Sequence, residues 1–94
     1  MQYSYKPSYI RTLKTIKDIK RLKAIHKAIE KFQEAMETSG HSMPQGIGLK
    51  RLRNDIWEFR AGINDRIIIR WIDNLIEYGL VGTHDDIKHF LRHK

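Results

Sequence analysis

Residues 49–81 read LKRLRNDIWEFRAGINDRIIIRWIDNLIEYGLV, and the period of this stretch decides the fold. Bulky apolar side chains alternate with charged or small ones from Ile56 to Arg60, from Arg66 to Ile72 and from Leu75 to Val81. A period of two marks strands that turn one face to a core. Asn54-Asp55 and Asp73-Asn74 are suited to two-residue hairpin turns, and Ala61 to Asp65 is a short loop around Gly62. The stretch therefore predicts four antiparallel strands in meander order, over 49–53, 56–60, 66–72 and 75–81.

The same alternation sorts the side chains. Trp57, Phe59, Ile67, Ile69, Trp71, Tyr78 and Leu80 fall on one face, bulky enough to need a covering layer. Ile56, Glu58, Arg60, Arg66, Ile68, Arg70, Glu77 and Val81 fall on the other, which is unusually charged for strand interiors and is the candidate working face.

The covering layer lies upstream. Residues 2–6 alternate and run into Pro7, which suits a short strand entering a turn. From Ser8, the expected N-cap, to Gly40, the expected stop, Ile10, Leu13, Ile16, Ile19, Leu22, Ile25, Ile29, Phe32 and Met36 recur at steps of three and four. The unbroken steps of three from Leu13 to Ile25 would smear an apolar stripe around one straight helix. A break near Lys17 and Asp18, with Asp18 capping the second helix, restores two stripes and predicts a packed helix pair. His41 to Gly48 reads as the linker to the strands. Downstream, Thr83 with Asp86 three residues on resembles a capping box opening a short last helix, with Ile87, Phe90 and Leu91 on one side and His84 in its first turn. The expected class is α+β: an N-terminal strand and αα hairpin packed on an antiparallel meander, closed by a short C-terminal helix, all in one domain spanning 1–94.

Composition narrows the chemistry. With no cysteine, disulfides, thiolate metal sites and cysteine nucleophiles are excluded. His26, His41, His89 and His93 show no ligand spacing beyond the four-residue step between the last two, so neither a metal nor another cofactor is expected. No run approaches the roughly 20 apolar residues of a membrane span, and the first ten residues lack a secretory pattern, so a soluble, cytoplasmic protein without a membrane partner is expected. Eighteen Lys and Arg against eleven Asp and Glu give a net charge of +7, which concentrates polyanions around the protein. The lysines from Lys14 to Lys31 fit the solvated side of the helices, and with Lys50, Arg51, Arg53 and Lys88 they are candidate RNA contacts.

Register sharpens this. A tight Asp73-Asn74 turn sets Ile72 against Leu75 and Arg70 against Glu77, a self-sufficient ion pair. In the simplest preceding register Arg60 faces Arg66, and like charges in that position are unfavourable unless an anion lies between them. Counting on, Arg66 faces Val81, which gathers Arg60, Arg66 and His84 at one end of the sheet. Guanidinium groups can hold a scissile phosphate, and a histidine can move protons at the 2′-oxygen or the leaving oxygen. Asp65, Asp85 and Asp86 lie near enough in sequence to orient the imidazole or act as a base, although Asp85 and Asp86 also suit the first turn of a helix.

The segments Lys50-Arg51-Leu52, Ile56 to Arg60, Asp65 to Trp71 and Leu80 to His84 together resemble the RelE/ParE superfamily of bacterial toxins, over roughly residues 47–91. Gly82-Thr83-His84 is similar to the YafQ-like branch, and Trp57 to Arg60 to the HigB-like one. The resemblance implies metal-independent cleavage of mRNA in the ribosomal A site through 2′-oxygen attack, and a cognate antitoxin as protein partner. By position it assigns Arg66 to the family's motif arginine, Arg60 to the preceding strand arginine, Asp65 to an acidic residue of the YafQ-like toxins and His84 to their histidine. The same fold also serves ParE-like inhibitors of DNA gyrase, and an inactive protein- or nucleic-acid-binding module is the remaining alternative.

Overall fold

The computed structural model describes residues 1–38, 43, 44 and 46–92. In chain order its elements are β1 (Gln2–Tyr5), α1 (Pro7–Lys14), α2 (Ile19–Glu37), β2 (Lys50–Arg53), β3 (Ile56–Ala61), β4 (Asp65–Ile72), β5 (Leu75–Thr83) and α3 (His84–Arg92). The expected stop at Gly40, His41 and part of the linker, and His93 lie outside the described residues. The sheet order is β1-β5-β4-β3-β2. β2 to β5 form the predicted antiparallel meander, while β1 adds a parallel edge beside β5 and makes the sheet mixed.

The turns and caps follow from local chemistry. Asn54 and Asp73 take positive φ values of 44° and 50°, the left-handed backbone that short polar side chains tolerate in tight hairpins. The helical region divides where its period drifts: α1 ends at Lys14, and the Asp18 carboxylate accepts a hydrogen bond of 2.9 Å from the Lys20 amide at the start of α2. Asp18→Ala is expected to cost about 1 kcal/mol, a fall in Tm of roughly 4–8 °C readable by thermal denaturation.

Ser8 does not cap α1. The helix starts at Pro7, whose fixed φ and missing N–H suit the first helical position, with Lys6 as the cap residue. The Ser8 hydroxyl instead donates to the Gly79 carbonyl at 2.7 Å, and Thr12 Oγ1 accepts from the Val81 amide at 3.1 Å. Since β1 pairs with β5 only as far as Tyr78, two hydroxyls of α1 take over the backbone of β5 where its strand neighbour runs out.

Gly79 also corrects the sorting of side chains. Ile69 pairs with Tyr78 and Ile68 with Leu80, so Gly79 is an extra residue in β5, a bulge that inverts the alternation beyond it. Leu80, expected on the helix side, packs with Ile68 and Ile87 beneath α3 on the far face. Val81, expected on the working face, joins the main core. The ladder past the bulge moves by one residue: Arg66 faces Gly82 rather than Val81, and Asp65 faces Thr83. Before it, Arg60–Arg66, Arg70–Glu77 and Ile72–Leu75 pair as expected.

The main core lies between the sheet and the helices α1 and α2. Ile25, Phe32, Phe59, Ile67, Ile69 and Tyr78 are 0% exposed, and the Phe32 and Phe59 rings stack with centroids 4.5 Å apart. On the opposite face α3 is held by a reciprocal cap in which the Asp86 amide donates to Thr83 Oγ1 and the Thr83 amide donates to Asp86 Oδ2, each at 3.2 Å. Among the described residues no helix is long and apolar enough to cross a membrane.

Candidate functional site

Where β4 begins and β5 ends, the Thr83–Asp86 cap fixes the start of α3 and sets His84, exposed, directly after the last strand residue. Arg66 stands one position into β4, paired with Gly82. Both line one open cleft of about 330 Å³, together with Arg21, Ile63, Asn64, Thr83 and Asp85. Fold order thus delivers an imidazole and guanidinium groups to a common concavity from α2, β4 and α3.

Each cation has a distinct anchor. Arg66 Nη1 lies 3.8 Å from Oε1 of Glu58, which is 7% exposed, a Coulombic contact too long for a hydrogen bond that leaves the donors of Arg66 available. Arg21 is held far more tightly: its Nε donates to Asp65 Oδ2 at 2.9 Å and its Nη2 to Oδ1 at 2.6 Å. Hydrogen bonding to the Asp65 carboxylate raises the Arg21 pKa above its ordinary value, so the guanidinium stays a cation. Its Nη1 group is not used in that fork.

Asp65, expected beside His84, occupies a different position. It is 3% exposed, and both of its oxygens are engaged by Arg21. The residue pairs with Ala61 and Thr83 and faces the helical layer, where a buried carboxylate requires a cation. Asp86 is taken up by the cap, and Asp85 stays exposed at the cleft.

Arg60 is the cross-strand neighbour of Arg66 but does not line this cleft. Its amide donates to the Ile47 carbonyl at 2.7 Å, and the residue borders a second depression with Lys27 and Lys31. Arg21 supplies the second guanidinium of the cleft in its place. Sequence reasoning passed over it among the lysines, though a signal existed: Arg21 is the one arginine in α2, whose other long cations are lysines.

The remaining candidates spread along two edges. Lys50, Arg51 and Arg53 are exposed on β2, with Lys50 across from Glu58, Arg51 Nε tied to the Asn54 carbonyl at 2.6 Å, and Arg53 at a groove bordered by Phe90 and Leu91 of α3. Lys88 is exposed one helical turn after His84, so it lies on the same side of α3.

No family model and no curated protein matches the sequence. Solved structures do. YafQ from E. coli strain BL21(DE3) is 15% identical, superposes with a TM-score of 0.66, and is matched over 92% of this chain and 96% of its own. A chain of the RelB-RelE antitoxin-toxin complex from Methanococcus jannaschii is 19% identical with a TM-score of 0.71, over 93% of this chain and 96% of that one. The YoeB/ParE toxin from Agrobacterium tumefaciens is 13% identical with a TM-score of 0.66, over 89% and 99%. With its mixed five-stranded sheet, helix pair and capped C-terminal helix, this chain has the fold of the RelE/ParE toxin superfamily.

Proposed function

We propose that this protein is the toxin of a type II toxin–antitoxin pair and acts in the cytoplasm as a ribosome-dependent endoribonuclease, cutting mRNA without a metal ion. The observation that carries the proposal is the shared cleft: an exposed imidazole and two guanidinium groups face one concavity at the strand ends. A phosphodiester seated there meets donors from Arg66 and Arg21, which offset the charge that grows on its non-bridging oxygens as the 2′-oxygen attacks phosphorus. The new O2′–P bond forms as the P–O5′ bond breaks. His84 carries one of the two protons that move, either taking that of the 2′-hydroxyl or delivering one to the departing 5′-oxygen, and water carries the other, leaving a 2′,3′-cyclic phosphate and a 5′-hydroxyl. In this reading Asp65 is a positioning residue: it locks the Arg21 fork and leaves the imidazole free.

The mRNA held on the ribosome supplies the substrate, and exposed Lys50, Arg53 and Lys88 add phosphate contacts beyond the cleft. Arg51 joins them only where its tie to the Asn54 carbonyl is released. The protein partner is a cognate antitoxin of opposite charge, as suits a chain of net charge +7; relatives of the same fold are seen in DinJ-YafQ and RelB-RelE complexes.

A translation mixture containing ribosomes and a defined mRNA tests the reading. The wild-type protein is expected to cut the message within codons at a magnesium-independent chemical step, scored by primer extension. Intact mRNA together with inhibition of gyrase supercoiling would transfer the assignment to the ParE-like activity. Neither effect would leave an inactive binding module.

A further inference from the structure

The depression that Arg60 borders carries its own pattern. It encloses about 250 Å³ and is lined by Lys27 and Lys31 of α2, Arg60 of β3, and the small or backbone surfaces of Ala24, Ile47 and Gly62. No carboxylate lines it, and no ion pair of Lys27, Lys31 or Arg60 occurs among the described residues. The packing that shapes it is close: a β-carbon placed on Gly62 would sit 3.2 Å from Ala24 Cβ, so the β3–β4 loop lies directly against the helix, at a positive φ of 70° that glycine adopts without strain. On the other flank, a β-carbon on Gly48 would lie 3.3 Å from Arg60 Cδ and Nε, so the backbone there runs alongside the guanidinium.

Two unfavourable juxtapositions meet here. Lys27 and Lys31 are one helical turn apart on the same face, where like charges repel. Arg60 stands across the ladder from Arg66, where like charges repel as well. A single anion relieves both. The volume lies below the roughly 300–1,000 Å³ of pockets that hold drug-sized ligands, which favours a small anion over a metabolite.

We infer that the Lys27–Lys31–Arg60 depression is a phosphate subsite that grips the backbone of the RNA strand one step away from the cleavage cleft. This rests on the nuclease reading for the identity of the polyanion. The ladder supplies the continuity: Arg66 lines the cleft, its cross-strand neighbour Arg60 borders the depression, and Lys27 and Lys31 complete it from the helix. A strand leaving the cleft past Arg66 therefore meets Arg60 next.

The test uses the non-cleaving His84→Ala protein and a short fluorescent single-stranded RNA, with affinity read by anisotropy over a salt series. Adding Lys27→Gln with Lys31→Gln is expected to weaken binding about tenfold and to lower the slope of log affinity against log salt by about 1.4, the loss of two phosphate contacts on a single strand. Arg11→Gln with Arg92→Gln removes the same charge from exposed positions outside both the cleft and the depression, and is expected to change affinity less than twofold. Equal losses from the two pairs, or an unchanged slope in the first, overturn the subsite, as does an RNA that the His84→Ala protein does not bind. Wild-type protein that cuts no mRNA while the binding pattern holds removes the nuclease and keeps the subsite. Cleavage lost in His84→Ala, with the lysine pair inert, does the reverse.

Discussion

His84→Ala is expected to slow mRNA cleavage by roughly a hundred- to ten-thousand-fold, the contribution of a positioned proton-transfer group. The loss should appear without unfolding. His84 is exposed, and the start of α3 is held by Thr83 and Asp86 rather than by the imidazole, so the melting curve should stay within the about 0.5 kcal/mol typical of surface changes. His84→Gln keeps a polar side chain of similar reach but cannot carry a proton, and should be as slow as alanine. Arg66→Ala is expected to cost roughly a hundred- to a thousandfold by removing stabilisation of the developing charge. Arg66→Lys should recover part of this, since a point charge replaces the fork but not its geometry. A His84→Ala protein that cleaves at the wild-type rate would remove the imidazole from the mechanism altogether.

Arg21→Ala is expected to destabilise the fold by roughly 3 kcal/mol, the lower end of what breaking a buried ion pair costs. Asp65 is 3% exposed and accepts two hydrogen bonds from Arg21, so the truncation strands a carboxylate in the interior. The lower end applies because the Arg21 side chain, 32% exposed, reaches solvent and water can enter once it is cut back. Urea titration followed by circular dichroism measures the effect. Arg21→Leu combined with Asp65→Leu should restore much of the stability, because both charges leave together, and the non-additivity measures the coupling. A loss under about 0.5 kcal/mol for Arg21→Ala would mean the bridge contributes no more than a surface pair. The double variant also separates roles: if Arg21 steadies the phosphate, it folds yet cleaves slowly.

Much of this was legible in the chain because period and turn chemistry agree with the tertiary structure. The strands, the two tight hairpins, the helix break at Asp18 and the Thr83–Asp86 cap each rest on a local rule that nothing distant overrides. The Arg60–Arg66 and Arg70–Glu77 pairings followed from turn length alone. What escaped were effects set by partners far off in sequence. The bulge at Gly79 was hinted at only by a glycine inside an alternating run, yet it moved Leu80, Val81 and the partner of Arg66. Ser8 lost its cap role to a carbonyl seventy-one residues away. Arg21 was hidden because its purpose appears only when Asp65 is seen to face the helical layer, forty-four residues on. His84 and Arg66, grouped from proximity to a strand end, do line one cleft, while Arg60 lies one ladder position away from it.

The pairing of β1 with β5 sets a timetable. Gln2 leaves the ribosome first among the strand residues but bonds opposite Leu75, and the hydroxyls of Ser8 and Thr12 wait for Gly79 and Val81 of the same late strand. Among the described residues no earlier segment pairs with that edge, so β1 finds its place only after a closure that brings Gln2 to Leu75. The cleft depends on the same final stretch, because His84 follows β5 directly. A copy cut off before β5 therefore holds neither the finished sheet nor the His84 imidazole, so the cleft is among the last parts of this fold to be made.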